Sequence, residues 1–180
     1  MEASPVNFEK MVVNRPDAIN VHAALCKGKS IKFQQGDEAA IGEVSATGGV
    51  AADMSEAHKN HYAKDPNTKT IDVPCKLVTN LLVENGIEHV DVFYLDVEGG
   101  ELSVLETIEW GKVPIDMFIV EVDGTNPVKD ESIRVLLMSQ GYITPFSMEF
   151  KCLKMQKLCH PSELFVKKDI WEAHQSTQKV

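Results

Sequence analysis

The chain has 180 residues, 43% hydrophobic and 25% charged, a composition that fits one sizeable globular core and excludes a low-complexity or fibrous chain. A formal net charge of −9 works against binding along a phosphate backbone, so nucleic acid is not an expected partner. No segment approaches the ~20 apolar residues that span a bilayer, and the N-terminus shows no signal peptide, so no membrane partner is expected and a cytoplasmic address follows.

Ser4-Pro5 predicts a helix start, with Ser4 as cap and Pro5 at the first helical position, and the helix should end near Asn14, before Pro16. Ile19, Val21, Ala23 and Leu25 then alternate with polar or small residues, which predicts a strand. A Lys27-Gly28-Lys29 turn and a second strand, "SIKFQQ", suggest a hairpin. From about 36 to 70 the sequence is poor in large apolar residues and reads as a polar loop. His58 and His61 within it read as surface histidines.

"TIDVPC" predicts a short strand, and "KLVTNLLVENGI" a helix with Leu77, Leu81 and Leu82 inward, stopped at Gly86. Next come a strand in "HVDVFYLDV", a helix from Glu101 to Trp110 and a strand in "IDMFIVEVDG". A helix with Asp130 as cap follows and ends at Gly141. The remainder carries strand-like stretches expected to pair antiparallel at one sheet edge. Cys26, Cys75, Cys152 and Cys159 form no Cys-x-x-Cys pair and read as reduced thiols. Cys152, Cys159 and His160 match no common zinc spacing, and Lys151, Lys154, Lys157, Lys167 and Lys168 read as a solvated face.

Strands alternating with helices predict an α/β domain with a largely parallel sheet, in which ligands bind beyond the carboxyl ends of the strands. Asp96, Glu98, Glu121 and Asp123 fall where two successive strands end. If the strands continued, Asp96 would share a face with Glu98, and Glu121 with Asp123. Such carboxylates can hold a cation, serve as a general base, or accept hydrogen bonds from a substrate hydroxyl. Gly99-Gly100 allows the tight turn into the next helix.

The stretch "VPCKLVTNLLVENGIEHVDVFYLDVEGGELSVLETIEW", with "IDMFIVEVDG", "LLMSQGY" and "LFVKKDIW" after it, closely resembles the FkbM-type methyltransferase family, whose hallmark is Asp-Val-Glu-Gly-x-Glu following a strand. Asp96 to Glu101 fits that hallmark, and "EASPVNFEKMVVNRPDAINVHAALC" is similar to the family's preceding stretch. The resemblance implies a single domain over 1–180 of the Rossmann-like class I three-layer sandwich, using S-adenosylmethionine to methylate a hydroxyl of a sugar or other small molecule. It implies Glu2 as the ribose-binding acid, Asp96 beside the reacting methyl group, and Glu98 and Glu121 as further catalytic candidates; it implies no metal.

The family's first strand, glycine-rich cofactor loop, first helix and most of the second strand should precede Glu2, so the chain reads as N-terminally truncated. At about 4.8 Å per strand this leaves roughly 14 Å between the strand at Ile19–Cys26 and the one ending at Asp96. An exposed sheet edge, with homo-oligomerisation through it, is one expected consequence. A non-catalytic binding module and a metal-assisted hydrolase working through the rim carboxylates are the competing readings.

Overall fold

The computed structural model describes residues 1–35, 48–50, 52–54, 69–122, 124–145 and 162–177. Asp123, His58, His61, Cys152, Cys159, His160 and the lysines at 151, 154 and 157 lie outside these, as does most of the expected polar loop. The described residues form five helices and two four-stranded mixed sheets. The chain divides into two compact units, Met1–Gly86 with Val97–Ile108, and Ile87–Asp96 with Glu109–Val180. No described helix is long and apolar enough to cross a membrane.

In the first unit, helix α1 (Pro5–Asn14) begins where the sequence predicts, with Ser4 Oγ accepting the Asn7 N–H at 3.4 Å. The strand expected from Ile19 condenses to β1 (Ala24–Leu25), preceded by a single parallel bridge between His22 and Glu2. Strands β2 (Ser30–Gln34), β3 (Gly49–Val50) and β4 (Thr70–Lys76) complete a sheet of order β1-β4-β2-β3. The expected β1–β2 hairpin is therefore corrected: β4 lies between them, parallel to β1 and antiparallel to β2. The polar-loop expectation is corrected at Gly49–Val50, which pairs with Phe33 and Gln34. Ala24, Cys26, Phe33 and Val73 form the buried cluster of this sheet.

That arrangement overturns the reading of all cysteines as thiols. Ala24 is in register with Cys75 and Leu25 with Lys76, which sets Cys26 beside Cys75 with their Cα atoms 5.1 Å apart, and the two form a disulfide. The partners are 49 residues apart in sequence, beyond any local cysteine motif. Helix α2 (Val78–Glu84) follows β4; its N-cap, Leu77, has no side-chain acceptor, and the buried Thr107 hydroxyl accepts the Val78 N–H at 3.1 Å instead. Helix α3 (Glu101–Leu105) is shorter than the predicted run to Trp110 and buries Val104 and Leu105.

The second unit holds β5 (Val90–Leu95), β6 (Ile115–Glu121), α4 (Pro127–Ser139), β7 (Tyr142–Ile143), β8 (Ser162–Lys167) and α5 (Lys168–Thr177). Its sheet has the order β5-β6-β8-β7, with an antiparallel β7–β8 pair at one edge and β5 at the other, while most of the first stretch expected in such a pair, 146–155, lies outside the described residues. Of the six described strand pairs, β1–β4 and β5–β6 are parallel and the other four antiparallel, so the largely parallel sheet is corrected to two mixed ones. The strands expected to flank the gap, β1 and β5, belong to separate sheets. The residues from Lys168 to Trp171 are helical rather than extended.

Asn126, not Asp130, caps α4, its side chain accepting the Lys129 N–H at 3.2 Å with Pro127 in the first turn. Asp130 is buried and accepts the Gly124 N–H at 3.0 Å, holding the loop that leads out of β6. Arg134 on α4 grips Glu163 on β8 through both Nε and Nη2, and this hydrogen bonding raises the guanidinium pKa further. Phe118, fully buried, is ringed by Phe93, Trp110 and Tyr142 at centroid distances of 5.4, 6.0 and 5.2 Å. Lys167 lies 4.4 Å over the Tyr142 ring and donates to the Gln140 carbonyl at 2.6 Å, while Lys168 pairs with Glu172.

The Phe118→Ala variant is predicted to lose about 3–5 kcal/mol of stability in chemical denaturation followed by Trp fluorescence. Tyr142 donates its hydroxyl to the Ile115 carbonyl at 2.6 Å, and burial, then the charges of Asp116 and Asp169, raise its pKa above the ordinary 10.0. The folded chain therefore keeps this proton at a pH where the unfolded chain has shed it. The resulting stability is complete below about pH 10 and declines as pH rises further. Tyr142→Phe should flatten that alkaline decline relative to wild type in denaturation midpoints measured from pH 8 to 11.

Candidate active site

Leu95 ends β5, and the following six residues, Asp96-Val97-Glu98-Gly99-Gly100-Glu101, reverse the chain into α3. The last of them organises the turn. Glu101 is fully buried, and its Oε1 accepts the backbone N–H of Val97 and that of Gly99, each at 3.1 Å. Those amides have no strand partner once β5 has ended, and a buried amide without an acceptor is costly. The carboxylate at the first helical position satisfies both at once and sits at the end of the helix where negative charge is favoured.

The loop drawn round this carboxylate is tight. Glu98 has φ 57, and among the described residues it is the one non-glycine in the left-handed region. Gly99 follows at φ 107, and a Cβ there would sit 2.7 Å from the Asp53 carbonyl oxygen, so glycine is required both by conformation and by space. The expectation that Glu98 continues a strand face with Asp96 is thereby corrected: the strand has stopped and Glu98 lies in the turn.

Asp96 and Glu121 do meet the geometric expectation. Strands β5 and β6 are parallel neighbours, and one step past their last registered pair, Leu95 and Val120, come Asp96 and Glu121, adjacent at the carboxyl end of the sheet. Asp96 is exposed, whereas Glu121 is buried at the end of β6, in register with Ser162 of β8. An exposed carboxylate beside a buried one offers an acceptor to a ligand on the solvent side of the rim. Asp123, grouped with them on sequence, lies outside the described residues.

Glu2 belongs to the first unit. Its N–H donates to the Val21 carbonyl at 3.0 Å, and its carbonyl accepts the Ala23 N–H at 3.1 Å, so it is held as a short parallel extension of that sheet. Its Oε1 accepts the Ser4 N–H at 2.7 Å, which orients the half-buried carboxylate. His22 stacks on Phe8 at 5.1 Å, and its Nε2 lies 3.1 Å from the Ala3 carbonyl.

Sequence reasoning passed over one further cluster. His89, Asp91 and Asp116 bring their ligand atoms within 4.8 Å of one another at the opposite, amino-terminal end of β5 and β6. His89 Nε2 stands 3.1 Å from Asp116 and 3.7 Å from Asp91, between two exposed or half-exposed carboxylates that face each other across the strand pair. The parallel register was needed to see it. Glu101 was likewise given no role, although it is the final acid of the Asp-Val-Glu-Gly-x-Glu hallmark and directly follows a glycine pair at a helix start.

Removing the Glu101 carboxylate strands two amides and opens a cavity, so Glu101→Ala should cost about 2–4 kcal/mol in urea denaturation, and Glu101→Gln, which keeps an acceptor oxygen, clearly less. Glu98→Gly relieves about 1–2 kcal/mol of left-handed strain against a gain in unfolded-chain entropy. That variant should be as stable as wild type or up to about 1 kcal/mol more stable; a loss of more than ~1 kcal/mol contradicts the strain reading.

No curated protein and no solved structure matches the chain. The family profile described as the methyltransferase FkbM domain matches residues 1–144. This span takes in Glu2, the whole turn from Asp96 to Glu101, and the parallel pair that ends in Asp96 and Glu121. The chain belongs to the FkbM methyltransferase family.

Proposed function

We propose that the protein is an S-adenosylmethionine-dependent methyltransferase that methylates a hydroxyl oxygen of a sugar or other small molecule, on a fold derived from the Rossmann-like class I sandwich. The observation that carries this reading is the adjacency of Asp96 and Glu121 at the carboxyl end of two parallel strands in a chain of the FkbM family. The residues fit the cofactor in their chemistry. Glu2, with one carboxylate oxygen engaged by Ser4, retains a second oxygen suited to a ribose hydroxyl, and Asp96 is an exposed acid of the kind that faces a sulfonium. When bound, the cofactor supplies an electrophilic methyl group.

The chain's own residues then have separate tasks. Asp96, as a carboxylate at the rim, accepts a hydrogen bond from an acceptor hydroxyl and takes its proton as the oxygen becomes nucleophilic. Glu121, buried at the end of the neighbouring strand, provides a second fixed acceptor for orientation, which gains rate by holding reactants in place. Glu98, in the turn between the two amides that donate to Glu101, is the next candidate to touch substrate.

Calorimetry with S-adenosylmethionine should detect binding to the wild-type chain, weakened about tenfold by Glu2→Ala, the equivalent of ~1.4 kcal/mol. Asp96→Asn should retain binding while methyl transfer to a panel of hydroxyl acceptors falls by at least about 10²-fold. No heat at millimolar ligand, with a folded sample, favours the non-catalytic binding module instead.

A further inference from the structure

We propose that the Cys26–Cys75 disulfide is a thiol-responsive clamp on the strand segment that carries Glu2. The hydrogen-bonded ladder that joins β1 to its sheet is short: Ala24 and Leu25 against Cys75 and Lys76, extended by the Cys26 N–H donating to the Lys76 carbonyl at 3.0 Å. Glu2 is attached to the far end of this same segment through the Val21 carbonyl and the Ala23 N–H. Between that attachment and the five-pair β2–β4 ladder, the disulfide is the covalent connection across strands. A two-residue ladder at a sheet edge opens easily by local fluctuation, whereas a cross-link keeps its ends together.

The bond is also reachable from one side. Cys26 is 6% exposed, but Cys75 is half-buried and lines an open cleft with Lys27, Lys76, Asn80 and Glu84. A small thiolate therefore attacks the sulfur of Cys75, forming a mixed disulfide while Cys26 leaves as a thiolate and takes up a proton. A second thiol resolves the mixed disulfide. Two electrons pass to the protein, both cysteines end as thiols, and the two small thiols leave joined as their own disulfide. With the clamp open, β1 and the Glu2 segment are held by these hydrogen bonds and by the packing of Ala24 and Cys26 against Phe33 and Val73, without a covalent link across the strands, and the Glu2 carboxylate is held less firmly. Any effect on cofactor affinity rests on the reading of Glu2 given above; the clamp itself does not.

The test equilibrates the oxidised full chain in glutathione buffers of increasing reducing strength. Alkylation mass spectrometry follows Cys26 and Cys75, amide hydrogen exchange follows the backbone, and calorimetry follows S-adenosylmethionine. The expected result is reduction of this bond, at least about tenfold faster exchange at the amides of Glu2, Ala23 and Cys26 with the β2–β4 ladder unchanged, and about tenfold weaker cofactor binding. Cys75→Ser should show the reduced pattern in every buffer. Three outcomes overturn the clamp: a bond that glutathione does not open, reduction with no change at those amides, or reduction that melts the β2–β4 ladder along with β1, which makes the bond a plain structural staple. If the amides respond but the oxidised chain binds no cofactor, the clamp stands and the reading of Glu2 fails.

Discussion

A buried carboxylate with two backbone amides pointing at it decides the shape of the site. Glu101 accepts from Val97 and Gly99, and everything between those amides is constrained by that acceptance. The strand must end at Leu95, Glu98 must adopt φ 57, and position 99 must be glycine. The charge is affordable in the interior because it replaces hydrogen bonds that the end of the strand has taken away, and hydrogen bonds to a charged acceptor are the stronger kind. A hydrophobic strand finishing in acids and glycines is thus one device: Glu101 forms the turn, the glycines permit it, and Asp96 is left at the rim.

Much of this was legible in the residues, and the largest misses share a cause. Signals that act over a few positions were read correctly: Ser4-Pro5 starting α1, the strand in "SIKFQQ", the apolar run into Asp96, and Gly86 and Gly141 closing helices with φ 68 and 84. The failures in topology and in the cysteines depended on which strand lies beside which. β2 was given to β1 because they are close in sequence, yet β4 takes that place, and the same substitution hid the pairing of Cys26 with Cys75. Asp130 looked like a cap because it is an acid near a helix start; Asn126-Pro127 is the stronger start, and Asp130 turns inward to the Gly124 amide. Asp96 beside Glu121 was foreseeable because parallel neighbours joined by a helix end at the same side of a sheet.

The disulfide changes the chemistry expected of the first unit. The cysteines read as reduced thiols because they form no Cys-x-x-Cys pair and no secretory signal is visible, and for Cys26 and Cys75 that reading is overturned. It also ties the segment bearing Glu2 to β4, so the acid proposed to hold the cofactor ribose and the disulfide lie on one continuous path. In the second unit the stabilising interactions are of another kind, an aromatic cluster about Phe118 and the Arg134–Glu163 fork, and they hold the strands whose ends carry Asp96 and Glu121.

Residue-resolved amide exchange on the wild-type chain tests the account at its centre. Val97 and Gly99 follow the end of a strand, where loop amides ordinarily exchange almost freely. With Glu101 accepting from both, they should exchange at least about a hundredfold more slowly than an open loop, and the protection should vanish at these two positions in Glu101→Ala while the β5–β6 ladder keeps its own. Val97 and Gly99 exchanging at open-chain rates in the folded wild type would contradict the claim that this carboxylate builds the turn.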